Sequence, residues 1–157
     1  MLWVGDEPRP RQPGRPGREA SLTSPGDDVP ILVVDDDPHF CAGVDRALAA
    51  VPIRAHAVHT AVDALRFLAR ADAPHPAFVV LDFNLPDLNA PAVLADPLFR
   101  SVPVLVLTQV PGAADERAAL GAGARAYHAK PSRAAALREL LLDFWRTHAG
   151  PHGDPDR

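Results

Sequence analysis

The stretch ILVVDDDP, residues 31–38, decides the reading of the chain. Four consecutive apolar residues suit a strand covered on both faces, as the strands of parallel sheets are. Three acids then break the run. Asp37 followed by Pro38 marks a helix start, a capping carboxylate ahead of a proline in the first helical turn. Phe40, Val44, Ala47, Leu48 and Val51 continue at helical spacing. Strand, acidic loop and helix therefore occupy about twenty residues.

The same unit recurs downstream. Residues 53–58 read as a second strand, and Ala61, Leu65 and Leu68 mark a second helix. FVVLD (78–82) is an apolar strand ending in an acid, followed by a loop with Pro86 and a short helix near 90–97. VPVLVLT (102–108) is a further strand, 113–121 a helix, RAYHAK (125–130) a strand. A final helix over 133–147 gathers Leu137, Leu140, Leu141 and Phe144 on one side. Five βα units with continuous apolar strands imply an α/β fold, a five-stranded parallel sheet doubly wound by helices. GAGA (121–124) follows a helix and precedes a strand, the wrong order for a dinucleotide loop, and reads as a helix end.

Composition bounds the rest. Of 157 residues, 47% are hydrophobic and 23% charged, ordinary for one globular α/β domain. The net charge of -4 argues against nucleic acid as a partner, since a phosphate backbone wants clustered Lys and Arg. One cysteine, Cys41, rules out an internal disulfide and a cysteine metal site, and fits the cytoplasm. Nothing at the N-terminus reads as a secretory signal, and no run of 18 apolar residues suggests a membrane span. Residues 1–28 are rich in Pro, Arg and Gly and are expected to be a disordered tail. The folded domain is expected over 29–148, with 149–157 a flexible C-terminal tail too short for an output domain.

In such sheets ligands sit beyond the carboxyl ends of the strands. Those ends carry Asp35 and Asp36, Asp82, Thr108 and Lys130. Three carboxylates in one pocket repel, by about 4 kcal/mol for a pair 4 Å apart at an effective dielectric near 20. A hard divalent cation with oxygen ligands, Mg²⁺, relieves this. Metal, ammonium and hydroxyl together can hold the oxygens of a transferring phosphoryl group, while one carboxylate acts as nucleophile. Taken singly, the acids of 35–37 could be only a helix cap, and a lone strand-terminal Asp or Lys-Pro is commonplace. Their joint occurrence at four strand ends, in order, is not.

ILVVDDDP, VVLDFNLPDLNA, VPVLVLT and AYHAKP resemble the signature segments of bacterial two-component response-regulator receiver domains of the single-domain, chemotaxis-regulator-like kind. The likeness covers about residues 29–148 and implies the flavodoxin-like receiver fold. It implies that Asp82 accepts the phosphoryl group, and that Asp35, Asp36, Asp82 and the Asn84 backbone carbonyl hold Mg²⁺. Thr108 and Lys130 would contact phosphoryl oxygens. Tyr127 falls at the aromatic switch position, and Lys130-Pro131 at a peptide usually cis in the family. The implied donor is a sensor histidine kinase or a histidine phosphotransfer protein. The implied output is a separate effector protein bound in trans, with a phosphorylation-dependent homodimer compatible and neither nucleic acid nor membrane involved. The chain would thus be a cytoplasmic signalling module rather than an enzyme.

Three departures stand out. Ala90 replaces a usual Gly and is expected to strain a backbone position favouring positive φ. Gln109 follows Thr108 where a small residue is usual. The segment from Asp82 to Thr108 is short, so the third helix should be too. Ala90 and Gln109 motivate an alternative, a phosphorylation-independent receiver-like binding module. His39 reads as a solvated helix residue, and Asn84 breaks the Asp-x-Asp pattern of dehalogenase-type phosphatases.

Overall fold

The computed structural model describes residues 28–150. The expectations for 1–27 and 151–157 lie outside them. The elements alternate from the start: β1 (Val29–Val34), α1 (Pro38–Leu48), β2 (Ile53–Val58), α2 (Ala61–Ala69), β3 (Val79–Asp82) and α3 (Ala90–Leu94). A 3₁₀ turn (Pro97–Ser101) leads to β4 (Val104–Thr108), α4 (Ala113–Gly121), β5 (Ala126–Ala129) and α5 (Ala134–Phe144), which runs into a π turn (Trp145–Ala149). All strand pairs are parallel, in the order β2-β1-β3-β4-β5. The (βα)₅ expectation holds, and α3 is short as expected, with five residues.

Alternation along the strands divides the core into two layers. Ile31 and Val33 face Val44, Leu48, Leu137, Leu141 and Phe144, so α1 and α5 cover one side of the sheet. Leu32 and Val34 face Ala61, Ala64, Val93, Leu94 and Ala119, so α2, α3 and α4 cover the other. The residues of ILVV are all at most 1% exposed, as a strand covered on both faces requires.

Helix ends follow their local chemistry. The Asp37 carboxylate caps α1 by accepting from the His39 N–H at 2.9 Å, with Pro38 next. Thr60 caps α2 through Asp63 N. GAGA closes α4: Gly123 N donates to Leu120 O and Ala124 N to Ala119 O, and Gly123 takes φ 115°, open only to glycine without strain.

Three sequence expectations need correction. Val51 lies beyond α1, which stops at Leu48. Ala90 is unstrained. It opens α3 behind the Asn89 cap, its N–H donates to Phe83 O at 2.8 Å, and among the described residues only Gly123 has positive φ. The Lys130–Pro131 peptide is trans, as are the other described peptides. Even before proline the trans form is preferred, by about 0.5–1 kcal/mol.

Candidate phosphoryl and metal site

Strand register brings the strand-end residues together. β1 and β3 pair Val34 with Leu81, which sets Asp35 beside Asp82. β3 and β4 pair Asp82 with Leu107, so Thr108 stands one residue beyond. β4 and β5 pair Thr108 with Ala129, and Lys130 N donates to Thr108 O at 2.8 Å. β1 and β3 are also where the winding reverses, because β1 leads outward to β2 and the chain returns across it to β3. That switch point is where doubly wound sheets hold ligands.

Asp35 and Asp82 are buried, 1% and 7% exposed, and Asp36 is exposed. Each offers a carboxylate oxygen, and the three oxygens lie within 4.8 Å of one another. Asp35 Oδ1 accepts from Asp37 N at 2.9 Å. Asp35 Oδ2 lies 2.7 Å from Lys130 Nζ, and its second lone pair can still meet a cation. Hard oxygen donors, one of them on the solvent side, suit an ion that keeps several waters, so this donor set fits Mg²⁺.

Lys130 Nζ is also 3.4 Å from Asp82 Oδ1. Burial works against its charge, but Asp35 and Asp82 overcome that and hold its pKa above the ordinary lysine value. The ring of Phe40, 4.8 Å away, backs the ammonium. Burial raises the Asp82 pKa to about 6, with the Asp35 charge adding to it and Lys130 and the Asn84 backbone N–H opposing. Thr108, 2% exposed, completes the pocket with a hydroxyl. Asn84 lies two residues past Asp82, where an isolated antiparallel bridge to Asn89 shapes the loop.

Tyr127 is buried, edge-on to Phe83 at 6.2 Å between ring centres, and its hydroxyl accepts from Gly112 N at the start of α4. Sequence reasoning missed three neighbours of the site. Helical spacing places Phe40 on the face of α1 but does not show that its ring lies beside Lys130. His59 Nδ1 lies 2.9 Å from the Asp35 carbonyl oxygen, and Asp87 reaches across to α2. The His59 and Asp87 contacts join residues 24–26 apart and the Phe40 contact reaches Lys130 from α1, separations at which one sequence carries no signal. A crevice of about 300 Å³ lined by Arg100, Arg125 and His148 opens at the opposite pole, far from the acids.

A doubly wound parallel sheet with an acidic triad, a hydroxyl and an ammonium at its switch point defines a phospho-accepting signalling domain. The chain belongs to the response regulator receiver domain family, which matches residues 31–142. It is 36% identical over 115 residues to the transcriptional regulatory protein PrrA of Mycobacterium tuberculosis, covering 72% of this chain and 46% of PrrA. The chain thus spans about half the length of the curated relatives it matches. The phosphorylated cyanobacterial phytochrome response regulator RcpA superposes with a TM-score of 0.66 at 26% identity, over 76% of this chain and 94% of RcpA. The receiver domain of the Pseudomonas aeruginosa sensor histidine kinase PA1611, with magnesium coordinated in its active-site cleft, gives 0.64 at 26% identity, over 76% and 99%. Magnesium in that neighbour's cleft accords with the donor set here, where Asp35, Asp36 and Asp82 each offer a carboxylate oxygen.

Proposed function

We propose that Asp82 is the phospho-acceptor, that Asp35, Asp36, Asp82 and the Asn84 carbonyl hold Mg²⁺, and that Thr108 and Lys130 bind the phosphoryl oxygens. The observation that carries this is Lys130 Nζ placed between Asp35 Oδ2 and Asp82 Oδ1, at 2.7 and 3.4 Å. An Asp82 oxygen attacks the phosphorus of a phosphohistidine. The P–N bond breaks as the O–P bond forms, and the departing imidazole keeps the electron pair and takes a proton from solvent. Lys130 follows the developing charge from the Asp82 carboxylate to the phosphoryl group, and the Thr108 hydroxyl donates to another of its oxygens. Mg²⁺, when bound, supplies charge neutralisation. With its pKa near 6, Asp82 is mostly ionised at neutral pH, as a nucleophile must be.

The donor in this reading is a sensor histidine kinase or a histidine phosphotransfer protein, and the setting is the cytoplasm. The phosphorylated domain signals by protein–protein contact to a separate effector, with residues 29–148 as the folded unit. Among the described residues no helix is long and apolar enough to cross a membrane. Incubation with acetyl phosphate and Mg²⁺, read by intact mass, tests the chemistry. Wild type should gain one phosphoryl group and Asp82→Asn none. Equal gain in both would remove Asp82 from the acceptor role.

A further inference from the structure

The junction between β2 and α2 touches both halves of the acidic site. On one side His59 Nδ1 lies 2.9 Å from the Asp35 carbonyl oxygen. A carbonyl only accepts, so His59 donates there. On the other side Asp87, at the tip of the loop after Asp82, accepts from two consecutive N–H groups of the first turn of α2. Ala61 N donates to Oδ1 at 3.0 Å and Val62 N to Oδ2 at 3.1 Å. These donors have no partner within a helix, so a carboxylate from elsewhere is well placed to take them.

Phe83 N, where the loop leaves β3, donates to Leu107 O at 2.9 Å, and the hydrogen bonds beyond it stay local. Ala90 N reaches back to Phe83 O, Leu85 N to Leu88 O, Ala92 N to the Asn89 side chain, and Asn84 bridges Asn89. Asp87 therefore ties the loop to the rest of the fold by hydrogen bonds, at its tip. The opposing acidic loop has a similar tie: Asp35 N donates to Val58 O at 3.0 Å, immediately before His59.

From this geometry we infer that residues 58–62 form a brace that sets the spacing between Asp35 and Asp36 on one side and Asp82 and Asn84 on the other, with His59 and Asp87 as positioning residues for Mg²⁺. The inference rests on the metal assignment above. Mg²⁺ demands near-ideal octahedral geometry at short range, so its affinity is sensitive to ligand spacing. Groups that orient metal ligands commonly change affinity tenfold or more when removed. His59 and Asp87 act on one rigid segment from opposite sides. Losing either side chain loosens one side of the brace, and losing the second adds little once the spacing is no longer fixed.

Mg²⁺ titration by calorimetry on the full chain, with His59→Ala, Asp87→Ala, the double variant and Asp87→Asn, decides it. Each alanine variant should weaken Mg²⁺ about tenfold, the double variant no more than about twice that, and Asp87→Asn should recover part of the loss through its one remaining acceptor. A plain helix cap would lower the melting temperature and leave the Mg²⁺ dissociation constant of the folded protein unchanged. If Asp87→Ala does not fold, His59→Ala and Asp87→Asn still carry the comparison. Wild-type affinity in the single variants, or losses that multiply fully in the double, would overturn the brace while leaving the metal site standing. Absence of Mg²⁺ binding in wild type would instead overturn the metal site, and the brace with it.

Discussion

Lys130 Nζ stands 2.7 Å from Asp35 Oδ2, an ion pair whose side chains are 6% and 1% exposed. Two charges so buried are costly to hold, and removing one partner strands the other. Lys130→Met should therefore destabilise the protein by about 3 kcal/mol, read by urea unfolding without divalent ions. Saturating Mg²⁺ should recover part of this, because a bound cation supplies the missing charge and binding stabilises by linkage. Equal loss with and without Mg²⁺ would count against a metal at Asp35.

Asp82 gives a pH-dependent expectation with a definite sign. Its folded pKa is raised to about 6 from 3.8. Below about pH 3 it is protonated in both states and contributes nothing. From there to about pH 7 the unfolded chain ionises before the fold gives up its proton, so wild type loses stability as pH rises. Above about pH 7 the loss is complete, at most about 3 kcal/mol. Asp82→Asn, which has no charge to bury, should be the more stable protein at neutral pH, with the gap closing as pH falls to about 3. Chemical denaturation at pH 3, 4, 5, 6 and 7.5 without Mg²⁺ measures the gap. A constant gap would show that the Asp82 charge is not what costs stability.

Much of this was readable in the chain because parallel strands covered on both faces are continuous apolar runs. ILVV and VVLD end where acids begin, and a parallel sheet puts such ends on one edge. What was not readable has long-range causes. Asp87 and the α2 amides are 25–26 residues apart, and nothing in LPDL marks a partner for its carboxylate. The trans Lys130–Pro131 peptide and relaxed Ala90 correct what the resemblance implied, since a backbone conformation is set by the packing of this chain and not by motif spacing.

Ala90 turns that correction into an experiment. It is fully buried in the first turn of α3 with helical backbone. A strained alanine would gain from Ala90→Gly. Here the substitution removes a buried methyl and adds chain entropy to the unfolded state, so it should cost about 1 kcal/mol. Phosphorylation by acetyl phosphate should stay near the wild-type rate. Stabilisation of the glycine variant would mean that the alanine is strained after all.

Gln109 is the remaining departure. It is exposed at the carboxyl end of β4, one residue past buried Thr108, and Val110 beside it is 79% exposed. A small residue here would leave the approach to Asp82 open. A long amide narrows that approach for the donor and for water alike, and needs no special geometry to do so. Activating a water would instead require in-line placement behind the phosphorus. Steric cover predicts that Gln109→Ala takes up phosphate from acetyl phosphate faster and also loses it faster, each by a few-fold, because one barrier guards both directions. Intact mass over time follows uptake, and the same signal after removal of the donor follows loss. Wild-type rates in both directions would show that Gln109 only faces solvent, and a change in one alone would point to a chemical role rather than cover.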